Sequence, residues 1–366
     1  MRALAGGSDA FVSALERVPD FDAASFERFL THHQLRDWVA PVLASARAEH
    51  LIDAGFRERL RGYRMARIAR NQELLRESVE VRSALAEAGL GCLFLKGLYV
   101  GHRFYGDANR RHQGDVDILV RSRRLETALA ALARVGYDVE TNLDDGKPVA
   151  DRLREIRGRV PAKAPHAVTV RRGDTKLDLH WCLNSRSFGR VAEQSLWTAR
   201  RRYQLSGHDF ETLSDEDTLA FLLVSLCEDL RRGACRTKHF LDLYMMLRAL
   251  DAQIDWERFV VRQREQGVLK PSINVLAVFF ALWGCAAEFP GAARALHGRR
   301  RLVELRDAEE ALALMERPRG SAESRVWFRR VYPRSSSRYW AWRLTRDLPH
   351  TLTRLQSSRE FVLPEG

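Results

Sequence analysis

The chain has 366 residues, 45% of them hydrophobic and 30% charged, and carries a net charge of +12. That is enough for two or three domains with cores of their own, and the composition excludes a disordered or fibrous chain. Five cysteines with no C-x-x-C pair exclude zinc-ribbon spacing, and their odd number argues against a disulfide framework, so a reducing cytoplasm is the expected setting.

No signal-peptide core follows the N-terminus. The longest apolar run, Val275 to Ala287, is shorter than the roughly 20 residues a membrane span needs and reads as a buried helix. Only six of the 60 basic residues are lysine: Lys96, Lys147, Lys163, Lys176, Lys238 and Lys270. An arginine-preferring genome accounts for the bias. It also makes each lysine notable, because arginine would have served for charge alone.

In chain order, residues 1–89 read as an N-terminal helical region. Phe26, Phe29, Leu30 and Leu35, then Trp38, Val42 and Leu43, recur at helical spacing. A proline-free stretch from Ile52 to Ala88 predicts one long helix that stops at Gly89. Residues 90–210 change texture. Cys92 to Leu95 predicts a short strand ending in Lys96-Gly97, followed by a short helix from Leu98 to Phe104 and a polar loop to Gly114.

Asp115 to Val120 predicts a second strand. Arg124 to Val135 has helical periodicity and stops at Gly136, and Tyr137 to Val139 begins another strand. Residues 141–165 are polar and proline-containing and predict loop with some helix. Ala167–Val170 and Lys176–Trp181 flank Arg171-Arg172-Gly173-Asp174, an antiparallel hairpin pattern. Lys176, Asp178 and His180 share one face of the second strand, and Leu177, Leu179 and Trp181 the other. Residues 211–295 predict a helical domain. It opens on the capping-box pattern at Ser214 and contains a helix from Thr237 to Leu250.

Residues 296–366 form a basic C-terminal segment. From Arg325 to Arg359 nine arginines face a single acidic residue, Asp347, with Trp327, Phe328, Tyr332, Tyr339, Trp340 and Trp342 interleaved. Arginines with aromatics suit a polyanion contact. The same composition fits a segment that packs its rings on the body and solvates its charges, which the arginine bias favours.

Asp115 and Asp117 carry the strongest chemical signal. Residues i and i+2 of a strand point to one face, and two carboxylates held that close repel unless a cation lies between them. A hard divalent ion such as Mg²⁺ prefers carboxylate oxygen and leaves positions open for phosphate. Asp178, on the polar face of a nearby strand, is the candidate third carboxylate. It could equally cap a turn or pair with Arg171 or Arg172. Lys96 and Gly97, following a strand and opening a helix, are candidates for holding phosphate. A three-carboxylate site of this kind holds two metal ions that stabilise the attacking and leaving oxygens of an in-line displacement.

The order of these motifs resembles the uncharacterised bacterial nucleotidyltransferases, family 5 type, of the DNA polymerase β-like superfamily. The matching residues are Leu95-Lys96-Gly97, Tyr105, Arg111, Asp115-Val116-Asp117-Ile118-Leu119-Val120, Leu177-Asp178-Leu179-His180-Trp181 and Leu241-Asp242-Leu243. The likeness covers about residues 20–250. It implies an α/β (α+β) fold, a small mixed-sheet nucleotidyltransferase core flanked by N- and C-terminal helical regions. It also implies Mg²⁺ (or Mn²⁺), two ions, with an NTP as co-substrate. The wider superfamily usually places Gly-Ser before its D-x-D pair; here Lys96 precedes the glycine and the loop to Asp115 is longer.

Arg111, matching the family arginine, is a candidate for bidentate phosphate contact. His180 is a candidate for orienting a ligand or moving a proton, or is a hydrogen-bonded structural histidine. Lys238 and Asp242, spaced i, i+4, read as a surface ion pair or as a helical-domain lysine that reaches the triphosphate.

The expected function is Mg²⁺-dependent transfer of an NMP from an NTP to a hydroxyl or phosphate acceptor with pyrophosphate release. Asp115, Asp117 and Asp178 would be the metal-binding and catalytic residues. The acceptor is left open as a small molecule, a peptide or protein, or tRNA. Alternatives are a toxin-like enzyme nucleotidylating tRNA or protein, a peptide-tailoring enzyme, and a degenerate nucleotide- or nucleic-acid-binding protein.

Overall fold

The computed structural model describes residues 8–45, 48–139, 166–183 and 192–304, with 309, 310 and 313. The expectations for residues 141–165 and for the basic segment 325–359 fall outside these residues.

The first helices among the described residues are α1 (Ser8–Glu16), α2 (Ala23–His32) and α3 (Arg36–Leu43). The 34-residue α4 (Ala54–Glu87) follows. Asp53 caps it by accepting from the Phe56 N–H at 2.6 Å. Its end is set by Gly89 at φ +69°, with the Leu90 N–H returning to the Leu85 carbonyl. The helix serves two cores: Phe56 and Leu60 enter a helical one, and Leu74, Val81 and Leu85 pack against the sheet.

Then come β1 (Leu93–Phe94), α5 (Leu98–Tyr105), β2 (Asp115–Leu119), α6 (Leu125–Arg134) and β3 (Asp138–Val139). The hairpin is β4 (Ala167–Arg172) and β5 (Thr175–His180), turning at Gly173 with φ +55°. After α7 (Glu193–Thr198) comes a second hairpin, β6 (Arg201–Leu205) and β7 (His208–Thr212). It turns at Ser206-Gly207, both with positive φ, as a two-residue turn requires. Sequence periodicity does not reveal this hairpin, because β6 is an edge strand whose residues are exposed or half-buried and whose apolar alternation is limited to Tyr203 and Leu205. Up to residue 304, the further α-helices among the described residues are α8 (Asp215–Arg232), α9 (Thr237–Leu250), α10 (Trp256–Glu265), α11 (Leu269–Trp283) and α12 (Pro290–His297).

The seven strands form one mixed sheet in the order β3-β4-β5-β2-β1-β7-β6. The β2–β5 and β1–β7 pairs are parallel, and the others are antiparallel. Val116, Ile118, Leu177 and Leu179 turn to one face and pack on α4 and α6. On the opposite face Leu93, Leu95 and Leu119 meet Trp197 of α7 and Phe221 of α8. The apolar run from Val275 is helical and largely buried up to Trp283, where α11 ends at Gly284 with a left-handed backbone; its last residues, Cys285 to Ala287, lie beyond the helix. It shares one core with residues of α1 to α4, α5, and α8 to α12, so N- and C-terminal helices close on each other beside the sheet.

Candidate active site

The parallel β2–β5 register sets Asp117 against Asp178 and Asp115 against Lys176. The three aspartates therefore share one sheet face, opposite the one that packs on α4 and α6. Asp117 is buried at 7% exposure, whereas Asp115 and Asp178 are half-buried.

Each carboxylate already has a cationic or hydroxyl partner. The Lys96 ammonium lies 3.4 Å from Asp117 Oδ1, and His180 Nε2 lies 3.2 Å from the same oxygen. The Lys176 ammonium donates to Asp178 Oδ2 at 2.8 Å and lies 3.5 Å from Asp115 Oδ2. The Thr169 hydroxyl donates to the other Asp178 oxygen at 2.6 Å. Asp178 therefore pairs with Lys176 and Thr169 rather than with Arg171 or Arg172, the partners its sequence neighbourhood suggests. Burial pushes the Asp117 carboxyl up, but the Lys96 charge and the His180 hydrogen bond more than offset this and hold it well below the usual carboxylate range. Burial pulls the Lys96 and Lys176 ammonium groups down, and the surrounding carboxylates raise both above the usual lysine value.

Lys96 leaves the end of β1 and Gly97 opens α5. Gly97 has φ +60° and ψ −120°, a region open to glycine and strained for residues with a side chain. A Cβ there would sit 3.3 Å from Gln113 Oε1, so the turn lies close over the loop before β2. Gln113 Oε1 and His180 Nδ1 are both buried with no hydrogen-bond partner among the described residues.

That loop is held from two sides. From α4, Asn71 donates to the Ala108 carbonyl and accepts from Gln113 Nε2, and Arg67 reaches the Gln113 carbonyl and His112. From α9, Asp242 accepts from Arg111 Nε and Nη2, both at 2.8 Å, and from the Tyr105 hydroxyl at 2.6 Å. The Arg111 and Asp242 side chains are 6% and 1% exposed. Burial opposes both charges, yet each keeps the other ionised, Arg111 raised and Asp242 lowered. The remaining Arg111 nitrogen, Nη1, lies 3.4 Å from the Gly97 carbonyl. The fork is thus spent inside the protein, which differs from a phosphate-binding arginine.

Nor do Lys238 and Asp242 form the surface pair their spacing suggests. Lys238 instead donates to the His112 carbonyl at 3.1 Å. Burial and the neighbouring Arg111 charge push its ammonium down to about 8, with Asp115 and Lys96 near enough to contribute.

The donor set fits a hard divalent cation: three carboxylates on one face, all-oxygen, near solvent at Asp115 and Asp178. As the side chains stand, no three metal-ligating groups are gathered into a ready cage among the described residues. The lysines account for this, because each carboxylate is turned towards an ammonium. Lys176 and Thr169 are the contacts that sequence reading leaves unassigned. The available signal is that Lys176 is a scarce lysine, two positions before Asp178 on an alternating strand.

A family model described as uncharacterised nucleotidyltransferase matches residues 19–284. The chain belongs to that family. No curated protein matches this nucleotidyltransferase. Among solved structures it is similar to the antibiotic-resistance factor ANT(2'')-Ia at 16% identity, with a TM-score of 0.37, over 53% of this chain and 94% of that one. No helix among the described residues of the nucleotidyltransferase is long and apolar enough to cross a membrane.

Proposed function

We propose that this nucleotidyltransferase moves an NMP from an NTP to a hydroxyl or phosphate acceptor, releases pyrophosphate, and depends on Mg²⁺ or Mn²⁺. One observation carries the reading: Asp117 and Asp178 stand side by side on parallel strands, with Asp115 on the same face and Lys96 against Asp117. Asp115 and Asp117 would hold both divalent ions, and Asp178 the one nearer the acceptor. When bound, the ions would lower the charge on the reacting phosphate and favour ionisation of the attacking hydroxyl.

The chain's own groups do the rest. Asp178 can take the acceptor proton. Lys96, which is half-exposed, and the turn at Gly97 hold the phosphates. His180 keeps the Asp117 carboxylate oriented. Arg111 supports Gly97 and the loop rather than touching phosphate. Lys238 contributes positive charge from the helical side.

The test is incubation of the full chain with each α-labelled NTP and Mg²⁺ or Mn²⁺, offering tRNA, total protein and small metabolites in turn. Label should pass to one acceptor class with matching pyrophosphate release, and absence of transfer and of pyrophosphate from every NTP would overturn the reading. The three arms also separate an enzyme acting on tRNA or protein from one acting on a small molecule or a peptide.

Lys238 supplies a pH test. Its ammonium is charged below about 8 and neutral above it, so its pull on phosphate is present at neutral pH and lost as pH rises through that value. KM for the NTP should rise by roughly tenfold above pH 8, the size of one charged hydrogen bond. Lys238→Met should show the high KM at neutral pH and lose that step. A KM profile identical to the unmodified enzyme's would remove Lys238 from the site.

A further inference from the structure

We infer that Lys176 is a built-in counter-ion that occupies the divalent ion's place between Asp115 and Asp178 and competes with it. The inference rests on the nucleotidyl-transfer reading above.

Three observations carry it. The ammonium bridges the two carboxylates, at 2.8 Å from Asp178 Oδ2 and 3.5 Å from Asp115 Oδ2. The Thr169 hydroxyl, on the other Asp178 oxygen, leaves Oδ2 facing Lys176. The Lys176 and Asp115 side chains remain 32% and 39% exposed, so an ion has a path from solvent. Residue type points the same way. Lysines are six of 60 basic residues, yet of the four within the described residues, Lys96, Lys176, Lys238 and Lys270, all but Lys270 stand at this site.

An arginine fork would grip a carboxylate at two points and stay. An ammonium is a compact charge on a flexible stem and leaves when a stronger cation arrives. Two carboxylates left facing each other without it would repel, so the lysine keeps them paired until the ion replaces it. Metal entry then requires displacing Lys176, and the freed ammonium is placed to meet the phosphate that arrives with the metal. Divalent-ion affinity without nucleotide is therefore held down.

The experiment is a titration of the full chain with Mn²⁺ alone, reading free Mn²⁺ by electron paramagnetic resonance, with circular dichroism to check folding. Lys176→Gln and the uncharged, similarly shaped Lys176→Met should bind Mn²⁺ roughly tenfold more tightly, the effect of removing one charged hydrogen bond that competes. Lys176→Arg keeps the charge and should not tighten binding, and neither should Lys270→Gln, whose lysine pairs with Glu304 elsewhere. Asp115→Asn should weaken it. Unchanged affinity in both uncharged variants, with Asp115→Asn still weakened, overturns the counter-ion role and leaves the metal site standing. Equal affinity in Asp115→Asn, Asp178→Asn and the unmodified chain overturns the metal-site reading itself. Tightening in Lys176→Arg equal to that in Lys176→Gln would show that charge is not the cause.

Discussion

Asn in place of Asp117 is expected to leave a folded protein whose nucleotidyl transfer falls by at least about a thousandfold, the scale of losing a group that holds the charge-neutralising ions. The substitution keeps the side-chain volume at a position that is 7% exposed, so neighbouring Val116 and Ile118 stay packed on the other face of β2. What it removes is the negative charge. The Asn carbonyl oxygen still accepts from one of Lys96 and His180, and Lys96, half-exposed, turns to Asp115 or to water. The stability loss should therefore be about 1.5–3 kcal/mol, as for a hydrogen bond to a charged group. A thermal melt alongside label transfer separates the two effects. Turnover at the original rate in a well-folded Asp117→Asn protein would end the assignment of Asp117 to the site.

The largest stability effect is expected at Asp242, far from that carboxylate cluster in sequence but tied to its supporting loop. Asp242→Asn should lower the free energy of unfolding by about 3–5 kcal/mol, because it strands the Arg111 charge in the interior. The guanidinium has nowhere else to go: Nε and Nη2 are both given to Asp242, and the side chain is 6% exposed. Replacing both partners with apolar residues, Arg111→Met with Asp242→Leu, should recover part of this. About 1–3 kcal/mol should remain missing, because the Tyr105 hydroxyl loses its acceptor.

The sign with pH follows from the depressed Asp242 value. The contribution of the pair is complete above the ordinary carboxylate range and is lost as pH falls through the lower folded-state value. Denaturant melts of the single and double variants at neutral pH give the coupling. A single variant as stable as the parent would show that the pair is not a strut between α9 and the loop before β2.

Much of this site is written in local pattern. Asp115 and Asp117 fall on one face because a strand alternates, and Lys176, Asp178 and His180 fall together on another strand for the same reason. The bounds of α4 follow from a capping aspartate and a terminal glycine, and α9 from its apolar spacing, all within a few residues of the chain. The β6–β7 hairpin is not legible that way. An edge strand with little burial has little apolar alternation to display, and its place in the sheet comes from pairing β7 with β1 over a hundred residues away.

The roles of Arg111, Asp242 and Lys238 show where local pattern ends. Their sequence context is that of a loop arginine and an i, i+4 pair on a helix surface. Packing α9 against that loop buries them, and burial changes which partner each charge must take. Arg111 and Asp242 need each other because neither can remain ionised in the interior alone. Lys238 is left with a carbonyl, and its ammonium is correspondingly easier to neutralise.

The sequence by itself therefore determined the chemistry available: three aspartates on strands, a Lys-Gly turn after a strand, and a family resemblance that the family match bears out. Tertiary structure alone decided the partners. The parallel register of β2 and β5 set Asp117 beside Asp178 and Asp115 beside Lys176. The closing of α9 withdrew Arg111 from solvent. Residue type and short-range periodicity specify what a side chain can do, whereas strand register and burial depend on contacts between distant segments and settle which charge it meets.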